Sequence, residues 1–169
     1  HCMEAKDVIE LYTLLEENHI NVWIDGGWGI DALLGKQTRP HKDLDIAIRH
    51  KDKPKLRKLL EERGYKDVAR DDTSDWNFVL SDGEREVDIH TFVFDDDGNN
   101  IYGTAYPKES LTGTGTINGK SVNCIPPEWV VKFHAEATYK PKAKDIQDVN
   151  AICDKFGLEP PNNYKNPLH

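Results

Sequence analysis

The chain has 169 residues, which suits one domain or one domain with a helical appendage. Hydrophobic residues make up 37%, four of them Trp, so the chain can bury a core and is not a disordered polymer. The formal net charge of -8 makes long polyanions poor partners and nucleic acid an unfavoured one, whereas an acidic cleft attracts a cationic small molecule.

No apolar run approaches the ~20 residues of a membrane span. No charged-then-apolar leader is seen, and His1-Cys2 before Met3 reads as an appended dipeptide. Cys2, Cys124 and Cys153 form no C-x-x-C pair, so neither a zinc site nor a disulfide framework is expected. A reducing cytoplasm is the expected compartment.

In chain order, Val8, Leu11, Leu14 and Leu15 predict a helix over 5–18. Val22-Trp23-Ile24 reads as a short strand, punctuated by Gly26-Gly27 and followed by a short helix ending near Gly35. Asp43 to Ile48 alternates polar and apolar, as a strand does. Asp52 is a candidate cap for the next helix, with Pro54 in its first turn and Gly64 at its end. Strand signals follow at Tyr65–Ala69, Trp76–Leu80 and Glu86–Phe94, the last two joined by the turn pair Asp82-Gly83. Asp95–Gly113 reads as a loop, and its Asp95–Asn100 run lacks the glycine and closing glutamate of a calcium-binding loop.

A hairpin pairs Gly115–Asn118 with Lys120–Ile125 around Asn118-Gly119. Pro126-Pro127 opens a helix to about Tyr139, Pro141 breaks it, and a last helix covers 143–156 before Gly157. The order describes an α/β or α+β sheet with C-terminal helices. The expected divisions are a core over 3–125, a helical segment over 126–158 and a mobile tail over 159–169.

The chemistry concentrates in Asp25-Gly26-Gly27-Trp28-Gly29 and Asp43-Leu44-Asp45-Ile46. Alternation along a strand puts Asp43 and Asp45 on one face and Leu44, Ile46 and Ile48 on the other. Two carboxylates so close repel, and a divalent cation removes that penalty. Their hard oxygens suit magnesium, which also takes oxygens from phosphates. In Val87-Asp88-Ile89-His90, Asp88 and His90 share a face. If that strand neighbours the first, Asp88 completes a three-carboxylate set for one or two ions and can take the proton of an attacking hydroxyl.

Gly26-Gly27 before a helix offers unobstructed backbone N–H groups to phosphate. Arg39, His41 and Lys42 are placed to neutralise phosphates and departing pyrophosphate. Each element alone has an ordinary explanation: a bare loop, a solvated strand face, an exposed basic run. The combination and its spacing are what point to phosphoryl transfer.

Gly26-Gly27 followed by Asp43-x-Asp45 resembles the signature of the nucleotidyltransferase superfamily that includes DNA polymerase β. The longer run Trp23 to Asp31, with Gly35-Lys36 and Arg39-x-His41-x-Asp43-x-Asp45, is similar to small antibiotic nucleotidyltransferases of the lincosamide and aminoglycoside 2''-O types. Val87-Asp88-Ile89-His90 resembles the lincosamide type, and His134–Tyr139 with Lys144-Asp145-x-x-Asp148 resembles the group.

The resemblance implies a five-stranded mixed sheet flanked by helices, with C-terminal helices walling the substrate cleft. It implies magnesium on Asp43, Asp45 and Asp88, and Lys144 reaching the triphosphate of ATP or another nucleoside triphosphate. On a helix, Lys144 and Asp148 also form an ordinary i,i+4 pair. The expected acceptor is a hydroxyl of an aminoglycoside or lincosamide, with His90, Tyr102 and Glu128 as candidate acceptor-binding residues. A protein or RNA acceptor and a non-catalytic nucleotide-binding module are the alternatives, and either a monomer or a homodimer is compatible with the sequence.

Overall fold

The computed structural model describes residues 2–165. Its centre is one mixed sheet built from all eight strands. The strands are β1 (Trp23–Asp25), β2 (Asp43–Arg49), β3 (Lys66–Val68), β4 (Asn77–Ser81), β5 (Glu86–Phe94), β6 (Asn100–Gly103), β7 (Gly113–Ile117) and β8 (Lys120–Cys124). They run in the order β3-β4-β5-β2-β1-β8-β7, and β6 pairs with the far end of β5.

The expected five strands are therefore too few. The hairpins β3–β4 and β7–β8 extend the two edges. Seven of the strands fall on segments that the residue pattern marks. β6 lies in the stretch read as a loop; Asn100 there donates its side-chain amide to the carbonyls of Thr104 and Tyr106 and holds the return.

Five helices flank the sheet: α1 (Ala5–Glu17), α2 (Gly26–Leu34), α3 (Lys53–Glu61), α4 (Pro127–Glu136) and α5 (Ala143–Phe156). On α1 the buried stripe is Val8, Leu11, Tyr12 and Leu15, with Tyr12 in place of the expected Leu14. Asp52 makes no side-chain capping bond, because a short 3-10 turn, His50–Asp52, leads directly into α3. The helix α4 stops at Glu136, short of Tyr139, as Ala137 turns to extended backbone. Gly35 and Gly157 end α2 and α5 in the left-handed conformation that favours glycine.

The apolar alternation does its work on β2 and β5. Leu44, Ile46 and Ile48 pack into the core beside Val87 and Ile89, so the intervening polar residues emerge together on the opposite side. Within the stretch 159–169, Tyr164 is fully buried, donates to the His134 carbonyl and accepts from the Asn150 amide. Residues 166–169 of that stretch lie outside the described residues. No helix among the described residues is long and apolar enough to cross a membrane.

Candidate active site

Parallel pairing of β2 with β5 sets Asp45 directly opposite Asp88, and antiparallel pairing of β1 with β2 sets Asp25 opposite Asp45. Asp43 lies two residues before Asp45 on the same face, opposite Glu86. The ligand atoms of Asp45, Asp88 and His90 all lie within 4.8 Å of one another. His90 Nε2 stands 3.7 Å from Asp45 and 3.6 Å from Asp88.

The electrostatics follow from that crowding. Burial pushes the Asp88 carboxyl up to about 6; His90 pulls it down, while Asp45 and Asp43 push it further up. Burial also raises Asp43, with Asp45 and Glu86 adding to it and Lys144 opposing it. Burial works against charging His90, but Asp45 and Asp88 prevail and raise its pKa. Like charges gathered this way repel one another, and a divalent ion relieves that repulsion.

The site fits such an ion. The carboxylate oxygens of Asp45 and Asp88, with Asp43 beside them, are donors suited to magnesium or manganese, and the His90 imidazole stands against the first two. Gly26, at φ +60°, opens the approach: a Cβ there would collide with the Asp45 carboxylate.

The turn beside the acids is held from two sides. Asp25 accepts from the Gly26 N–H at 2.8 Å and from the buried Tyr106 hydroxyl at 2.7 Å. On the other side, Asp31 and His41 form a buried pair at 2.5 Å, and Thr38 donates to the second Asp31 oxygen at 2.6 Å. The His41 ring lies so close to Gly27 that a Cβ on Gly27 would strike it. Arg39 reaches past the same glycine to Asp148 of α5 at 2.8 Å.

A cleft of about 760 Å³ opens over this arrangement. Asp25, Gly26, Gly27, Arg39, His41, Lys42, Asp43, Asp45 and His90 line its floor, and His134, Tyr139, Lys144, Asp145 and Asp148 line its wall. A volume of that size holds a nucleotide with part of a second substrate.

The structure thus brings together the acids, the glycine turn, Arg39, His41 and Lys144. It places His90 among the carboxylates and on the lining of the cleft. Tyr102 and Glu128 are not at the cleft. β6 carries Tyr102 to Asp75, to which its hydroxyl donates at 2.7 Å, and Glu128 is exposed in the first turn of α4.

Residue patterns gave no role to Asp25 or Asp31, and they paired Asp148 with Lys144, whereas Asp148 accepts from Arg39. For Asp31 a signal existed: a carboxylate flanked by Ile30, Ala32 and Leu33 on an apolar helix needs a buried partner.

A mixed sheet that gathers carboxylates from neighbouring strands beside a glycine turn has the architecture of a nucleotidyltransferase. The lincomycin-bound crystal structure of the lincosamide antibiotic adenylyltransferase LnuA has the same fold, with a TM-score of 0.75 at 24% identity over 90% of this chain and 98% of that one. ANT(2'')-Ia in complex with adenylyl-2''-tobramycin matches with a TM-score of 0.71 at 22% identity over 90% and 89%.

A model of the aminoglycoside-2''-adenylyltransferase family matches residues 7–152, and the chain belongs to that family. A lincosamide resistance protein of Staphylococcus haemolyticus is 30% identical over 139 residues, 77% of this chain and 83% of the relative. A 2''-aminoglycoside nucleotidyltransferase of Escherichia coli is 25% identical over 165 residues, 93% of this chain and 92% of the relative.

Proposed function

We propose that the chain transfers AMP from ATP to a hydroxyl of an aminoglycoside or lincosamide antibiotic, releasing pyrophosphate and inactivating the drug. The observation that carries this reading is the alignment of Asp45 with Asp88 on neighbouring parallel strands, with Asp43 beside them and the Gly26-Gly27 turn alongside. Family membership and the named activities of the relatives support the choice of donor and acceptor.

In this reading the acceptor oxygen attacks the α-phosphorus of ATP. The bond from that phosphorus to its bridging oxygen breaks, and pyrophosphate departs. Asp88 takes the hydroxyl proton, the role of a carboxylate positioned beside the attacking group. Asp43, Asp45 and Asp88 would hold two magnesium ions, which when bound supply charge neutralisation at the phosphates and acidify the attacking hydroxyl. The N–H groups of the Gly26-Gly27 turn, with Arg39, His41 and Lys144, orient the triphosphate and stabilise the leaving group. His90 positions Asp45 and Asp88. The helical segment over 126–158 closes the cleft.

The test is a nucleotide-by-drug matrix read by pyrophosphate release with magnesium present. Release above background only when a drug of either class is added is the expected outcome. Absence of release across both drug classes, from folded protein, overturns the antibiotic assignment.

A further inference from the structure

We propose that Asp148 on α5 is a positioning residue for the nucleotide, acting through Arg39; this rests on the reading of the cleft as a nucleotide site. Asp148 is buried, its side chain only 8% exposed, and it accepts from one terminal nitrogen of Arg39 at 2.8 Å. That hydrogen bond joins residues 109 positions apart, tying the last helix to the loop between α2 and β2. An Arg guanidinium carries five N–H donors. Among the described residues, Asp148 is the one side chain that Arg39 engages, while its Nε is buried without a partner.

Arg39 lines the large cleft, and the nitrogen bound to Asp148 lies 3.3 Å from the Cβ position of Gly27. The guanidinium is therefore clamped at one corner against the phosphate turn, with donor capacity left over for a second anion. A buried carboxylate that only braced α5 would be served by any cation. The fork of an arginine adds directed donors that match phosphate oxygens. Asp148 thus orients Arg39 and completes the triphosphate pocket only when α5 is docked.

The arrangement separates nucleotide recognition from acceptor recognition, and the experiment exploits that. Binding of a non-hydrolysable ATP analogue with magnesium is measured alongside the acceptor KM and the melting temperature. Asp148→Asn is expected to weaken analogue binding about tenfold, the loss of one charge-assisted hydrogen bond, with the acceptor KM within about twofold. In an Arg39→Gln background the same substitution is expected to add nothing, because Asp148 acts through Arg39.

Arg39→Lys keeps an ion pair with Asp148 and the fold but lacks the spare nitrogens. It too is expected to weaken the analogue about tenfold at an unchanged melting temperature, so the inference stays testable even if Asp148→Asn fails to fold. Arg39→Lys that binds the analogue like wild type overturns the inference. So does Asp148→Asn that weakens analogue binding and raises the acceptor KM equally, or that costs as much in the Arg39→Gln background. Wild-type protein that does not bind the analogue overturns the nucleotide-site reading as well, whereas normal wild-type binding with indifferent variants overturns this inference alone.

Discussion

Asp45 and Asp88 stand directly opposite one another on adjacent parallel strands, and each faces the imidazole of His90. The pairing stores repulsion that a cation relieves. Asp88→Asn removes one negative charge at nearly constant shape. It is expected to abolish turnover while raising the melting temperature of the magnesium-free protein by a few degrees. After discounting for partial exposure, the gain is about 1 kcal/mol, or about 2–4 °C for a chain of this size. Thermal unfolding in a chelator checks it; an unchanged or lower melting temperature contradicts the stored repulsion.

The same crowding makes magnesium stabilisation depend on pH. Asp88 in the folded chain titrates at about 6, above its ordinary value of 3.8. Its contribution to stability is therefore complete below about pH 4 and is lost as the pH rises through about 6. Bound magnesium takes the place of the proton. The rise in melting temperature on adding magnesium is expected to be larger at pH 7.5 than at pH 5, and Asp88→Asn is expected to flatten the difference. Equal magnesium shifts at both pH values contradict this.

Gly26 is required twice over. Its φ of +60° disfavours any side chain, and a Cβ would enter the Asp45 carboxylate. Gly26→Ala is expected to cost about 1–2 kcal/mol from backbone strain alone and more from the collision. Turnover is expected to fall at least about a hundredfold, because a misplacement of about 1 Å has that effect. Steady-state kinetics with chemical denaturation decide the matter, and near-normal activity contradicts the close approach.

His41 is needed by Asp31. Asp31 is 2% exposed and has His41 and Thr38 as side-chain partners. His41→Ala leaves that buried carboxylate with one hydroxyl donor and is expected to destabilise the chain by about 3 kcal/mol. The double variant with Asp31→Asn is expected to recover part of the loss, since the buried charge is gone. Additive losses in the double-mutant cycle count against the coupling.

The legible parts of the molecule are those governed by local rules. The alternation at 43–48 and 86–94 marks β2 and β5 and puts the acids on one face without any tertiary information. Glycine and proline punctuation marks the ends of α2 and α5 and the 82–83 turn. Long-range partners were not legible. Nothing local says that Tyr106 reaches Asp25, that Arg39 reaches Asp148, or that β6 carries Tyr102 away to Asp75. Those contacts follow from how α5 and the 95–112 segment fold back, and the relevant residues are separated by tens of positions. The short β6 escaped because asparagine and glycine are poor strand residues, and its pairing with β5 outweighs that preference.

The central claim is tested most directly by intact-mass analysis of the drug itself. Wild-type protein, ATP and magnesium are incubated with lincosamides and aminoglycosides in separate reactions, with Asp45→Asn as control. The expected result is a drug carrying one AMP on a hydroxyl, formed with one equivalent of pyrophosphate and absent with Asp45→Asn. Unmodified drug in every reaction, or equal product from folded Asp45→Asn, contradicts the account.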